Sequence, residues 1–182
     1  MNMLRILLLV LPLFGGNQLL SQPSNFDLRG GMGTYFAGTL DMRGLMLENE
    51  LNYTLGPKLA TSVQVGIGRS NYGVGEMSSF VQTNLTLFLS TFGNYRRNDF
   101  RLGAGVGYLN VKDVFLSRLE TRNGVVVNTE YTFRQRNDVG VNLVLENTYA
   151  LSERFLLGVK LFGQGYGGDG NSGLLLKFGV RL

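Results

Sequence analysis

The chain has no cysteine, no histidine and no tryptophan, and only three prolines. Without cysteine there is neither a disulfide nor a lipoprotein-type acylation site, so an oxidising compartment is allowed but not demanded. Without histidine, the usual base that activates a serine or cysteine nucleophile is missing, which removes histidine-dependent triads. A serine–lysine or carboxylate-only site stays open, but the reading is of a protein that is not an enzyme and uses no cofactor or metal. Long apolar runs are also lacking: beyond the first twenty-odd residues none reaches the roughly 20 that a spanning helix needs, which excludes a helical membrane protein. Basic residues are scattered, and a net charge of +4 without a basic stripe argues against nucleic-acid binding.

At the start, Arg5 supplies a thin positive region and Ile6 to Phe14 an apolar core broken only by Pro12. This reads as a secretory leader over residues 1–21, cleaved after Ser21, because the core is too brief to span a bilayer. Residues 22–182 then form one domain, enough for a single barrel of modest size.

What is present, from Phe26 onward, is alternation of apolar and polar residues with a period of two, the mark of strands with one wet and one greasy face. Eight such segments follow one another. The first runs through Phe26, Leu28, Met32 and Phe36, and the second through Leu45, Leu47, Leu51 and Tyr53, with Asn49 its one polar intruder. Val63, Val65 and Ile67 mark the third, Leu85, Leu87 and Leu89 the fourth, Leu102, Val106 and Tyr108 the fifth. The last three carry Val141, Leu143 and Leu145, then Leu157, Val159 and Leu161, then Leu174, Leu176, Phe178 and Val180. The expected fold is all-β: an eight-stranded antiparallel up-and-down transmembrane β-barrel.

Connections alternate between tight and long. Gly56-Pro57-Lys58, the stretch Asn94 to Asn98, and Ser152-Glu153 are compact; Asp41 to Gly44, Arg69 to Glu76, Val111 to Asn137 and Gly165 to Ser172 are longer. In outer-membrane barrels short turns face the periplasm, so both termini are expected there, with the protein in the outer membrane of a Gram-negative bacterium. Asn123-Gly124, a type I′ turn signal, lies within the longest excursion. Folding there pairs Arg122 with Val125, Tyr108 with Val139 and Ala104 with Leu143, so that greasy faces meet.

Direction is not visible in the alternation, but the content of the polar face argues that lipid lies outside. Asp27, Glu48, Glu50, Asp138 and Glu146 share it with Arg29, Arg101, Lys160, Lys177 and Arg181. An eight-stranded barrel is just wide enough for side chains to fill, so these charges are expected to form an interior network that plugs the lumen. In a soluble, lipocalin-like binding barrel they would instead be solvated surface.

On strand number, turn asymmetry and the final strand Leu174 to Leu182, the chain resembles the small outer-membrane β-barrels of the OmpA and OmpX kind from about Phe26 onward. The resemblance implies partners in outer-membrane lipid and in the barrel-insertion machinery, which reads the last strand. Such barrels usually end in an aromatic residue, whereas this one ends in Arg181-Leu182 with Phe178 on the same face.

Gly103-Ala104-Gly105-Val106-Gly107 looks like a phosphate loop but lies within a strand with no helix after it. Asp169-Gly170-Asn171 reads as a flexible hairpin tip rather than a calcium site. The long hairpin is the stretch of most functional interest. Its outward face is expected to show Val114, Leu116, Val127, Tyr131 and Phe133, an apolar ribbon suited to contact with another surface or envelope protein. The leading reading is a non-catalytic barrel with a structural or surface-interaction role. Alternatives are a small-solute channel, an accessory component of a secretion or assembly complex, and the soluble binding barrel.

Overall fold

Strict alternation lets each segment bury one face and leave its backbone free to pair on both sides, and that pairing ends only when the sheet meets itself. In the computed structural model, which describes residues 25–37, 42–72, 76–91, 97–122, 125–167 and 169–182, this closure is complete. The strands are β1 (Phe26–Ala37), β2 (Met42–Thr54), β3 (Leu59–Tyr72), β4 (Glu76–Ser90), β5 (Asn98–Arg122), β6 (Val125–Ala150), β7 (Phe155–Tyr166) and β8 (Asp169–Arg181). Each pairs antiparallel with its sequence neighbours, and β8 closes on β1. No helix occurs among the described residues. The expected leader, residues 1–21, lies outside them.

Paired residues can be followed once around the wall: Asp27, Asn52, Ser62, Thr86, Gly105, Asn142, Gln164, Asn171 and Ala37. The path returns to β1 ten residues beyond its start. With strands about 4.8 Å apart and about 3.3 Å per residue, that stagger tilts the eight strands by about 41° from the axis.

The wall is apolar outside and polar inside. Leu143 is 66% exposed and Val139 74%, and every strand contributes similar outward residues, while Gln64, Asn84, Glu50 and Lys160 face the lumen and are buried. A continuous apolar exterior is untenable in water, and a closed barrel leaves no unpaired edge in hydrocarbon. The soluble alternative needs the opposite orientation and is set aside.

One end carries the tight connections 55–58 and 151–154, the end of β4 and the start of β5, together with the start of β1 and the end of β8. Leu55 and Gly56 donate backbone hydrogen bonds to the Leu59 carbonyl, at 2.9 and 3.1 Å. Leu151 and Ser152 do the same to Phe155, at 2.9 and 3.3 Å. Outward aromatic residues gather here: Phe26 lies 4.7 Å from Tyr53, Phe155 lies 5.9 Å from Phe178, and Arg97 sits over Tyr149. Phe92 and Tyr95, in the connection from β4 to β5, lie outside the described residues.

At the other end the expected long loops Arg69 to Glu76 and Gly165 to Ser172 are mostly strand. Arg69 pairs with Ser79, Gln164 with Asn171 and Tyr166 with Asp169. Glycine and small polar residues there hide the alternation, but ladder hydrogen bonds need only backbone. Asp169 to Asn171 is therefore the start of β8 and not a free tip.

Glycine has a steric task where strands crowd the lumen. A Cβ on Gly105 would lie 2.0 Å from the Leu85 carbonyl oxygen and 2.6 Å from Asn142 Oδ1. Gly105→Val should therefore lower the stability of the refolded barrel by roughly 2–3 kcal/mol, the range for overpacking. Urea titration in lipid vesicles measures this, and a midpoint equal to that of the parent would contradict it.

Candidate functional site: the barrel interior and the projecting hairpin

β1, β2, β5, β6, β7 and β8 each aim at least one charged side chain at the axis. Glu146, fully buried on β6, is the most connected acid. Its Oε1 accepts from Arg29, from Arg101 Nη2 at 2.5 Å and from Thr148 Oγ1 at 2.9 Å, while Oε2 accepts from Lys177 Nζ at 3.2 Å. Across the lumen, Glu50 on β2 accepts from Lys177 and, at 3.5 Å, from Lys160 Nζ. Lys160 Nζ also donates to Glu48 Oε1 at 2.6 Å and to Gln64 Oε1 at 2.9 Å. Arg29 is further held by Asp27, 2.6 Å from its Nε. The guanidinium of Arg101 lies 4.6 Å from the centre of the Phe88 ring.

Eight of the ten charges expected on the inner face thus meet in one buried network: Asp27, Arg29, Glu48, Glu50, Arg101, Glu146, Lys160 and Lys177. Asp138 and Arg181 do not join it. Asp138 is half-buried near Gly167, and Arg181, at the short-turn end, donates to the Glu153 carbonyl at 3.5 Å. Side-chain parity assigns a face but not a height, and both residues lie too far along their strands.

Asp99 is buried and was missed. It accepts from Ser90 and lies 3.6 Å from Arg101 Nε. As the second residue of β5 it sits where the alternation has barely begun. Asp113 was missed for another reason: it stands in the hairpin expected to project beyond the barrel, yet it is buried, 3.6 Å from Arg136 Nε.

The network lies among uncharged layers. Tyr35, Met46, Phe80, Phe162 and Leu175 pack into one interior cluster, Tyr35 meeting Phe80 edge-on at 4.6 Å. The side-chain amides of Gln82 and Asn84 are buried with no partner among the described residues, in a polar setting suited to ordered water. Among the described residues no three acids are grouped to hold a metal ion.

β5 and β6 run on as a two-stranded ribbon. The β4 ladder leaves β5 at Val114 and the β7 ladder leaves β6 at Gly140, so β5 continues for eight residues, roughly 27 Å, without β4 beside it. Arg122 pairs with Val125 and Tyr108 with Val139, the register read from Asn123-Gly124, although that turn itself lies outside the described residues. Two bulges intervene, one around Ser117 on β5 and one around Val127 on β6, and each cancels the other's shift.

Outward pairs along the ribbon change character twice. Tyr108 and Val139 end the apolar wall; Asn110 with Asn137 and Lys112 with Gln135 follow; then come Val114 with Phe133 and Leu116 with Tyr131. Phe133 is 78% exposed, Tyr131 is exposed, and Val114 and Leu116 are half-buried. The side chain of Val127 lies outside the described part. Two polar pairs, about 13 Å of strand, separate this upper patch from the lipid-facing wall.

Comparison with solved structures places the architecture. Neisserial surface protein A matches with a TM-score of 0.67 at 11% identity, over 89% of this chain and all of that one. The fold is that of the small eight-stranded outer-membrane β-barrels. OprG of Pseudomonas aeruginosa matches this barrel with a TM-score of 0.63 at 11% identity, over 89% of this chain and 98% of that one. Ail, the attachment invasion locus protein of Yersinia pestis, matches at 0.55 and 10%, over 87% and 99%. No known family and no curated protein matches the sequence of the barrel.

Removing the Glu146 carboxylate would take a shared acceptor from three buried cations, Arg29, Arg101 and Lys177. Glu146→Ala should destabilise the barrel by about 3–5 kcal/mol, as for other broken buried ion pairs, whereas Asp138→Ala, outside the network, should change it little. Equal urea midpoints for the two variants would refute the central position of Glu146.

Proposed function

We propose that the protein is a non-catalytic outer-membrane barrel, closed to solutes by its interior charge network, whose projecting hairpin is a contact surface for another envelope or surface protein. The exposed Phe133, ringed by Val114, Leu116 and Tyr131 and parted from the bilayer by two polar pairs, is the observation that carries this reading. Aromatic residues exposed together above the lipid are anchors for a partner, and the open edges beside them offer backbone groups for strand addition. The outer-membrane location, with the tight turns and both chain ends in the periplasm, rests on the apolar wall and on the kind of barrel that shares this fold.

Side chains that span the lumen support its closure: Lys177 contacts carboxylates on β2 and β6 together, and aromatic residues pack in the same interior. In planar bilayers the purified protein should give no steady single-channel current. Such currents, altered in Glu48→Ala, would instead support a small-solute channel. For the hairpin, a photo-crosslinker at Phe133 in living cells should yield a discrete protein adduct that disappears when Leu116 and Tyr131 are both changed to Ser. Absence of any adduct in the parent would argue against a contact role.

A further inference from the structure

The apolar outer wall has a flaw at mid-height. On β2 the outward residues run Leu45, Leu47, Asn49, Leu51 and Tyr53, from one rim to the aromatic belt at the other, so Asn49 stands at the centre of the lipid-facing band. Its side chain is exposed, and among the described residues neither atom of its amide has a hydrogen-bond partner. An amide left unpaired in hydrocarbon is unfavourable by several kcal/mol.

Other outward asparagines escape this. Asn110 donates to Asn137 above the apolar wall. Asn147 pairs with Phe100 and lies two residues from Tyr149, at the level of the aromatic belt. Asn49 faces a different setting. On β3 its neighbour is the apolar Val65, and on β1 it is Gly30, so no side chain stands beside it on that side; a Cβ on Gly30 would already lie 3.9 Å from Asn49 Oδ1. The result is an open groove of about 540 Å³, lined by Met32, Leu47, Leu157 and Phe178 with the Asn49 amide in its wall.

From this geometry we propose that the β1–β2 wall is a self-association surface, where two copies pack about a two-fold axis and their Asn49 amides exchange hydrogen bonds. A second copy is the occupant for three reasons. The middle of a bilayer offers no polar lipid group to satisfy the amide. A primary amide carries both donor and acceptor, so at a two-fold axis it is its own complement. The groove over Gly30 lets the facing wall approach closely enough for the two amides to meet, as small residues do between membrane segments.

The inference rests on the membrane reading, and the experiment keeps the two apart. Because the chain has no cysteine, single cysteines can be placed at will. Protein carrying Lys58→Cys, in an exposed tight turn, is labelled with donor or acceptor dye and inserted together into phosphatidylcholine vesicles. Energy transfer should exceed that of random proximity and saturate as the protein-to-lipid ratio rises. Adding Asn49→Leu should weaken association about tenfold, the equivalent of an interfacial hydrogen bond of 1–2 kcal/mol, and Asn49→Gln should restore part of it. Transfer at the random level in the parent, or unchanged by Asn49→Leu, would overturn the proposal. A fluorophore at Leu143→Cys, on the far wall, tests the other reading: quenching by brominated acyl chains is expected, and its absence would overturn membrane insertion and the dimer with it.

Discussion

Closure of the sheet with its charged face inward is the constraint from which the other features follow. Once β8 pairs with β1, the lumen has a fixed width, and whatever lines it must be satisfied within it. Four cations and the acids Asp27, Glu48, Glu50, Asp99 and Glu146 meet there, and no single pair suffices. Lys177 bridges β2 and β6, Lys160 bridges β2 and β7, and Arg29 reaches from β1 to β6. Each bond therefore ties strands that are not neighbours in the ladder. Placing any of these charged groups against hydrocarbon, outside this enclosure, would be strongly unfavourable, so the network specifies which face is inside.

Much of this was legible in the sequence because a strand's side-chain period is two and a one-residue slip inverts the faces. The eight segments, the inward placement of Glu48, Glu50 and Glu146, and the pairing of Tyr108 with Val139 all follow from that period. What was not legible has a common cause: parity carries no information about depth. Asp138 and Arg181 have the inward parity but stand at the rims, and Asp99 stands at the start of a strand where no alternation precedes it. The bulges around Ser117 and Val127 are hidden for another reason, since they cancel and leave the register correct at both ends. Glycine-rich stretches such as Gly165 to Ser172 show no pattern because they have few side chains to pattern, yet their backbones pair.

The two faces of the wall follow different rules. Inside, neutral and charged groups are held by geometry that tolerates little change, as the contact between Gly105 and the Leu85 carbonyl indicates. Outside, the requirement is only that a residue be apolar, so a polar residue such as Asn49 stands out against its neighbours in a way no interior asparagine does. Asn142, inside, donates to Thr86 Oγ1 at 2.8 Å; Asn49 faces a groove lined outwardly by Met32, Leu47, Leu157 and Phe178.

The β5–β6 ribbon departs from the rest because it leaves the barrel and thereby regains the edges that closure removed. An unprotected edge is a liability that proteins blunt with charge. Here Arg118 and Glu120, 2.9 Å apart, occupy the ribbon beyond the first bulge, and Arg134 stands on the lumen-side face, while the opposite face keeps Phe133 and Tyr131 exposed. Charge predominates on the lumen-side face, where Phe115 is the one exposed ring among the described residues, while Phe133 and Tyr131 stand together on the other. A stiff spacer would need no such asymmetry, since solvation would favour polar residues on both faces. The apolar face that persists above two polar pairs is the feature that the proposed contact surface accounts for.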